Sequence, residues 1–237
     1  MDPSEWGIEP GPEPDPGPRR DGPLWLHPDD DLAPNRPGET LYGLLADRPD
    51  RPDRGVGRLA RALLGRERDT ADLRERLAGE RSAGAALDRL AGAGWEILHS
   101  LPLPGAATLS HLAIGPAGVF GCHTVAHARG PLRVGDPDEE QVRTGTRRGE
   151  PHLRYCRRGA ALAAHALTRG CGFPVTVSPV LICVTAGRVA YGTVPGDVRV
   201  LREHQLEGLT RYGALLAPDR IRAIHGVARD RRTWRGL

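Results

Sequence analysis

Proline divides this chain before any other feature does. Twelve of the 22 prolines fall in residues 1–53, in runs such as EPGPEPDPGPRRDGP and HPDDDLAPNRPGE that carry no apolar periodicity. Proline fixes φ and removes a backbone donor, so so rich a segment favours neither helix nor ladder. With little apolar surface to bury, it does not repay its conformational entropy. Residues 1–53 are therefore expected to form a disordered tail. Charge changes at the same place: the tail has 13 acids and 5 arginines, net −8, and the remainder has 17 acids and 28 arginines, net +11. All 33 basic residues are arginine and none is lysine, so chemistry that needs a lysine amine is excluded.

The remainder is long enough for one ordinary domain. Residues 54–68 read as a linker that includes a short basic amphipathic helix over residues 56–64 (VGRLARALL). A longer helix is expected from Asp69 or Thr70 as N-cap, stopped by Gly92 and Gly94, with Leu73, Leu77, Ala83, Gly84, Leu87 and Leu90 inward. Residues 95–101 (WEILHSL), 109–114 (LSHLAI) and 119–125 (VFGCHTV) read as strands, each bounded by Gly or Pro. Gly115-Pro116-Ala117-Gly118 is a hairpin turn that pairs the second and third antiparallel. Weaker strands follow at residues 131–134 and near Val142, then a helix over residues 151–169 closed by Gly170 and Gly172. Residues 175–185 (VTVSPVLICVT) form the strongest strand, with Pro179 at its start or at a bulge. A strand near residues 198–201 and helices near residues 203–212 and 218–229 complete the order. This order predicts an α/β domain over residues 69–200, a mixed sheet flanked by helices, with residues 201–237 as a helical extension packed on it.

Glu80 interrupts the apolar stripe of the first long helix, three residues after Leu77 and four before Gly84. A carboxylate there is costly to bury without a partner, which makes it a candidate for site chemistry. The alternative is a helix-edge glutamate that reaches solvent or pairs with Arg76 or Arg81. The four cysteines (Cys122, Cys156, Cys171, Cys183) form no C-x-x-C pair, so reduced thiols are expected rather than a zinc site or a disulfide framework. The chain opens without a basic start followed by an apolar core, and no apolar run is long enough to span a bilayer, so a cytoplasmic location without membrane contact is expected.

Gly79-Glu80, WEILHSLPLPG and LSHLAIGPAGVFGCHTVAHARG together resemble the nuclease-related domain family known as NERD, and the block HLAIGPAGVF from His111 to Phe120 is the most specific part. The resemblance implies a restriction-endonuclease-like PD-(D/E)XK core. It also implies a site built from a helix glutamate, an aspartate before the histidine of the second strand, and an acid-x-lysine pair on the third. In such a site carboxylates gather Mg²⁺ at the scissile phosphate while the lysine orients the attacking water. Carried over by position, Glu80 is retained, Ser110 stands for the aspartate, His123 for the acid and Val125 for the lysine. Thr108 takes the place of a second acid. Strand alternation predicts that Ser110, Leu112 and Ile114 share one face, and that Val119, Gly121, His123 and Val125 share another.

One carboxylate without its lysine makes a poor Mg²⁺ site, so the leading expectation is a catalytically inactive or impaired nuclease-like domain that binds DNA, RNA or a protein partner. No cofactor is expected. Arg147, Arg148, Arg154, Arg157 and Arg158 are the candidate phosphate contacts, against the alternative of a solvated helix face. A first alternative is an active nuclease using Mg²⁺ or Mn²⁺ with relocated ligands, His111, His123 and His127 or the acids Asp136, Asp138, Glu139 and Glu140 being the residues to supply them. The histidines read more simply as ordinary surface or core residues and the acids as a solvated loop. A second alternative is an interaction module that uses the acidic tail, with Trp6 and residues 23–28 (PLWLHP) as docking elements.

Overall fold

The computed structural model describes residues 26–46, 66–105, 107–127, 130–135, 140–145 and 148–235. Helix α1 spans Glu39–Ala46, and helix α2 spans Arg66–Asp88 and runs on into a 3-10 turn, Arg89–Ala93. Gly94 closes that turn at φ 78°, a left-handed conformation that glycine adopts at no steric cost. Strands β1 (Glu96–Leu103), β2 (Ala107–Gly115) and β3 (Gly118–Ala126) form an antiparallel meander, with Gly115 opposite Gly118 across the expected hairpin turn. Then come β4 (Leu132–Val134), β5 (Val142–Thr144), helix α3 (His152–Cys171), β6 (Val177–Val184), β7 (Val189–Tyr191) and β8 (Arg199–Arg202). A 3-10 segment (Glu203–Arg211), helix α4 (Pro218–Ala228) and a last 3-10 turn (Arg231–Trp234) follow. The helix expected over residues 56–64 lies outside the described residues.

The main sheet runs β1-β2-β3-β6-β8, its first two pairings antiparallel and its last two parallel, and a small sheet runs β5-β4-β7. Helix α3 makes the crossover between the parallel strands β3 and β6. One face of the main sheet packs Leu112, Ile114 and Val119 against Ala160, Ala163, Ala166, Ile221 and Ile224 of α3 and α4. The other packs Ala113, Phe120, Cys122, Val180 and Ile182 against Ala83, Ala86 and Leu87 of α2. This is the expected mixed α/β arrangement of a nuclease-like core. Pro179 pairs with Gly121 of β3, but β8 begins to pair with β6 only at Val180, so the missing proline N–H falls before the strand becomes central.

Three expectations need correction. The boundary placed at residue 200 falls inside β8, a strand of the main sheet, and the helix expected near residues 203–212 is a 3-10 segment. The disorder expected for residues 1–53 does not hold for residues 26–46, which form a strap across α2 and the C-terminal end of the chain. Leu26, Leu32 and Leu41 are buried, and Leu32 sits fully inside the core that holds Trp234. Asp31 pairs with the Arg229 guanidinium through both carboxylate oxygens, and the Leu32 N–H donates to the Arg229 carbonyl at 2.8 Å. Proline density averaged over the segment concealed three leucines and one aspartate spaced to meet partners more than 180 residues away in the case of Asp31 and Arg229. The remainder of the tail lies outside the described residues.

If the strap belongs to the folded unit, Leu32→Ala should cost about 3 kcal/mol, the usual loss for a fully buried leucine. Denaturant unfolding reads this directly, and a loss below about 0.5 kcal/mol would show that the strap adds no burial.

Candidate active site

Two irregular steps break the strand alternation under α2. Leu98 and Leu101 of β1, and Leu109 and Leu112 of β2, all enter the core that faces α3. Residues three apart on a regular strand face opposite sides, so both strands slip between these leucines. The polar residues in between, His99 and Ser100 on β1 and Ser110 and His111 on β2, turn away from that core. Ser100 is at φ 53°, a left-handed conformation that costs a non-glycine residue of order 1 kcal/mol. The strap holds it there: Asn35 Nδ2 donates to the Ser100 carbonyl at 3.2 Å, Ser100 Oγ donates to the Arg36 carbonyl at 3.1 Å, and the Glu39 N–H donates to Ser100 Oγ at 2.9 Å.

Helix α2 brings Glu80 to this slip because glycine admits a neighbour on either side of it. A Cβ at Gly79 would collide with Ala126 of β3, and one at Gly84 would collide with Pro37 of the strap. Glu80 Oε1 accepts from Ser110 Oγ at 2.7 Å, and Ser110 Oγ in turn accepts the Thr124 N–H at 3.2 Å. Glu80 Oε2 lies 3.2 Å from Nε2 of the fully buried His111, at an angle that leaves this oxygen buried without a well-formed hydrogen bond. The same Nε2 is 3.2 Å from Thr124 Oγ1. From His111 the chain continues, Nδ1 to Nδ1 of His99 at 2.8 Å, then His99 Nε2 to Asp88 Oδ1 at 3.0 Å on an exposed side chain. A polar line thus runs from the buried carboxylate to the surface. Burial pushes the Glu80 carboxyl up, but the His111 ring and the Ser110 hydroxyl outweigh it and hold the group below its ordinary value.

The remaining carried-over residues lie elsewhere, and the face assignment for Ser110 needs correction. Ser110 does not share the face of Leu112 and Ile114, because the slip turns it to Glu80. Val125 packs with Leu153, Cys156, Leu181 and Cys183 on the α3 side. His123 turns to α3 as well, its Nε2 3.0 Å from His152 Nδ1, and burial followed by the His152 ring pushes it down to about 3. His152 Nε2 meets Glu150 Oε2 at 3.4 Å. The β3 side chains beside Gly79, next to Glu80, are Thr124 and Ala126. Thr108 stands opposite Pro102 near the start of β2, and His127 Nδ1 meets Glu75 Oε1 at 3.3 Å, so His111, His123 and His127 each turn to a different partner.

Mg²⁺ takes about six oxygens in near-octahedral array. Glu80 is the one carboxylate of this cluster apart from the surface Asp88, Ser110 is engaged on both sides, and the ring facing the buried oxygen is a nitrogen donor. Among the described residues no group of three His, Cys, Asp or Glu converges as a metal site would need. These residues do not fit a hard divalent ion.

The arginine face also differs from its expected form. Arg157 grips Asp197 with two bonds of 2.8 Å and also pairs with Glu140, while Arg154 approaches Glu140 at 3.7 Å. Glu140 is therefore not part of a solvated loop. Arg148 and Arg158 are exposed. Arg147, Asp136, Asp138 and Glu139 lie outside the described residues. Sequence reasoning missed His99, Asp88, Thr124 and His152. His99 carried one usable signal: pairing Leu98 with Leu112 across the first two strands sets His99 opposite His111.

In comparison with known proteins, residues 75–184 fit the family model described as "Nuclease-related domain". No curated protein and no solved structure matches the chain.

The buried rings set a pH dependence. Burial, the largest effect in each case, lowers His99, His123, His152 and His225, so the folded state keeps them neutral at pH values where the unfolded chain, with histidine near 6.5, takes up protons. Stability from these rings is complete above about pH 6.5 and is lost as pH falls below it, for His123 down to about 3, by at most about 1.4 kcal/mol per pH unit for each ring. Denaturant midpoints at pH 7.5 and 5.5 measure it. Equal midpoints would mean that folding does not hold these rings neutral.

Proposed function

From the membership of residues 75–184 in the nuclease-related family, we propose that this chain uses the nuclease scaffold without cutting nucleic acid and acts by binding it. The reading rests chiefly on the engagement of Glu80. One of its oxygens is taken by Ser110 and the other faces His111, whereas metal-assisted hydrolysis needs carboxylates free to gather an ion beside the phosphate. Valine at position 125, buried against α3, gives the attacking water neither charge nor hydrogen bond, and no lysine exists elsewhere to replace it.

Binding would use arginine against backbone phosphate, without base reading. The exposed Arg148 and Arg158 are the first contacts, and Arg154 and Arg157 join only by leaving Glu140 and Asp197. Among the described residues no helix is long and apolar enough to cross a membrane, and the four free thiols suit a reducing compartment, so the cytoplasm is the proposed location.

Incubation of supercoiled plasmid with the protein and Mg²⁺ or Mn²⁺ tests the first half. Wild type and Glu80→Ala should both stay at background, and cleavage that the substitution abolishes would overturn the reading in favour of an active nuclease. Fluorescence anisotropy with a labelled duplex tests the second half: with the two exposed arginines as phosphate contacts, affinity should drop about 12-fold between 50 and 200 mM salt. Affinity unchanged across that range would remove the phosphate contacts.

A further inference from the structure

Away from Glu80, three connections meet at the edge of the core that α3 and α4 cover. The hairpin turn between β2 and β3 brings Ala117 and Gly118, the link from α3 to β6 brings Phe173 and Thr176, and the entry to α4 brings Leu215, Leu216 and Arg220. They border a cavity of about 430 Å³ whose floor is core: Val119, Val175 and Ile224. Its walls are pinned by hydrogen bonds. The Pro116 carbonyl accepts the Leu215 N–H at 2.7 Å and the Leu216 N–H at 2.9 Å, and Thr168 Oγ1 accepts the Val175 N–H at 2.9 Å. A preformed cavity of this size, apolar on most sides with a few polar groups, has the usual form of a small-molecule site.

The polar groups at this cavity are uncommitted. Arg220 lies over the Phe173 ring, its Cζ 3.9 Å from the ring centre, a contact that holds the cation without using any of its N–H donors. Nearby arginines are paired: Arg222 with Asp219, Arg229 with Asp31 and Arg232 with Asp230. Among the described residues Arg220 has no carboxylate partner, and the hydroxyls of Thr176 and Ser178, which line the same cavity, have no hydrogen-bond partner. Arg220 also stands in the first turn of α4, where the helix dipole disfavours a cation and adds to the attraction for an anion. Leu215 lines the cavity while 75 % exposed, so a ligand that covers it removes apolar surface from water.

We propose that this cavity binds a small amphipathic anion, an aliphatic chain that ends in a carboxylate. The chain lies on the floor of Val119, Val175 and Ile224, and the carboxylate meets Arg220, with the Thr176 and Ser178 hydroxyls as further donors. A single guanidinium matches a single negative charge, and its planar fork matches the two oxygens of a carboxylate. The site is separate from the Glu80 cluster and goes beyond nucleic-acid binding: it lies on the face of the main sheet that α3 and α4 cover, whereas Glu80 belongs to α2 on the other face.

Isothermal titration calorimetry of the full chain with octanoate, octylamine and acetate reads both halves of this recognition. Octanoate should bind saturably at millimolar concentration or below. Octylamine, which has the chain without the anion, and acetate, which has the anion without the chain, should give no saturable heat. Arg220→Gln should weaken octanoate binding about tenfold or more, because a charge-assisted contact is lost. Arg220→Glu should transfer the preference to octylamine, an outcome that a misfolded chain does not produce. No saturable octanoate binding by the wild type, or equal binding of octylamine or acetate, would overturn the proposal. Unchanged octanoate affinity in Arg220→Gln would overturn it as well, since the ligand would then not be held at Arg220.

Discussion

The structure depends on a slip shared by two neighbouring strands. Had β1 and β2 kept strict alternation, Ser110 would lie with Leu112 and Ile114 in the apolar core under α3, where a hydroxyl is costly to bury alone. Because Leu98 with Leu101, and Leu109 with Leu112, both step by three residues into that core, the two polar residues between each pair are expelled together. Each expelled residue then needs a partner and finds one: Ser110 and His111 meet Glu80, His99 meets Asp88, and Ser100 meets the strap. The slip therefore explains at once the site, the surface connection and the docking of residues 26–46. Ser100's left-handed backbone is the strain that this arrangement carries, and three hydrogen bonds to the strap offset it.

Close approach matters as much as polarity here. Helix α2 lies near enough to β3 that position 79 tolerates no side chain, and the strap lies near enough to α2 that position 84 tolerates none. Glu80 sits between these contacts with most of its side chain removed from water, and its charge is sustained by neighbours rather than by solvent. The same closeness narrows the room around its oxygens, which favours partners already built into the chain over a hydrated ion that must keep several waters.

Much of the fold was legible because its signals are local. Turn residues at 115–118, glycine stops at Gly94 and Gly172, and the apolar run over residues 180–184 placed the hairpin, the two long helices and the central strand. Glu80 was legible as an anomaly, a carboxylate on an apolar stripe. What was not legible depends on pairing between distant segments. Periodicity assumed an unbroken strand at Ser110, and a slip leaves no mark in a sequence until both partner strands and their shared core are known. The strap escaped because an average over proline and charge outweighed Leu26, Leu32 and Leu41, three residues whose burial needs Trp234 and α2 to be in place. Arg154 and Arg157 looked like free cations because Glu140 and Asp197 reach them through the fold rather than through the helix.

Charge balance explains why this pocket is self-consistent after departing so far from the pattern it resembles. A site of several carboxylates, a lysine and a divalent ion is held together by near-cancellation, and loss of one member alone would leave an uncompensated charge in a poorly solvated place. Where the resemblance implies an aspartate, an acid and a lysine, this chain has Ser110, His123, which burial holds neutral, and Val125. The carboxylate of this pocket, Glu80, accepts from the Ser110 hydroxyl on the adjoining strand and has the His111 ring beside its other oxygen. A single glutamate against Ser110 and His111 is the smallest arrangement of that pocket in which no charge stands alone.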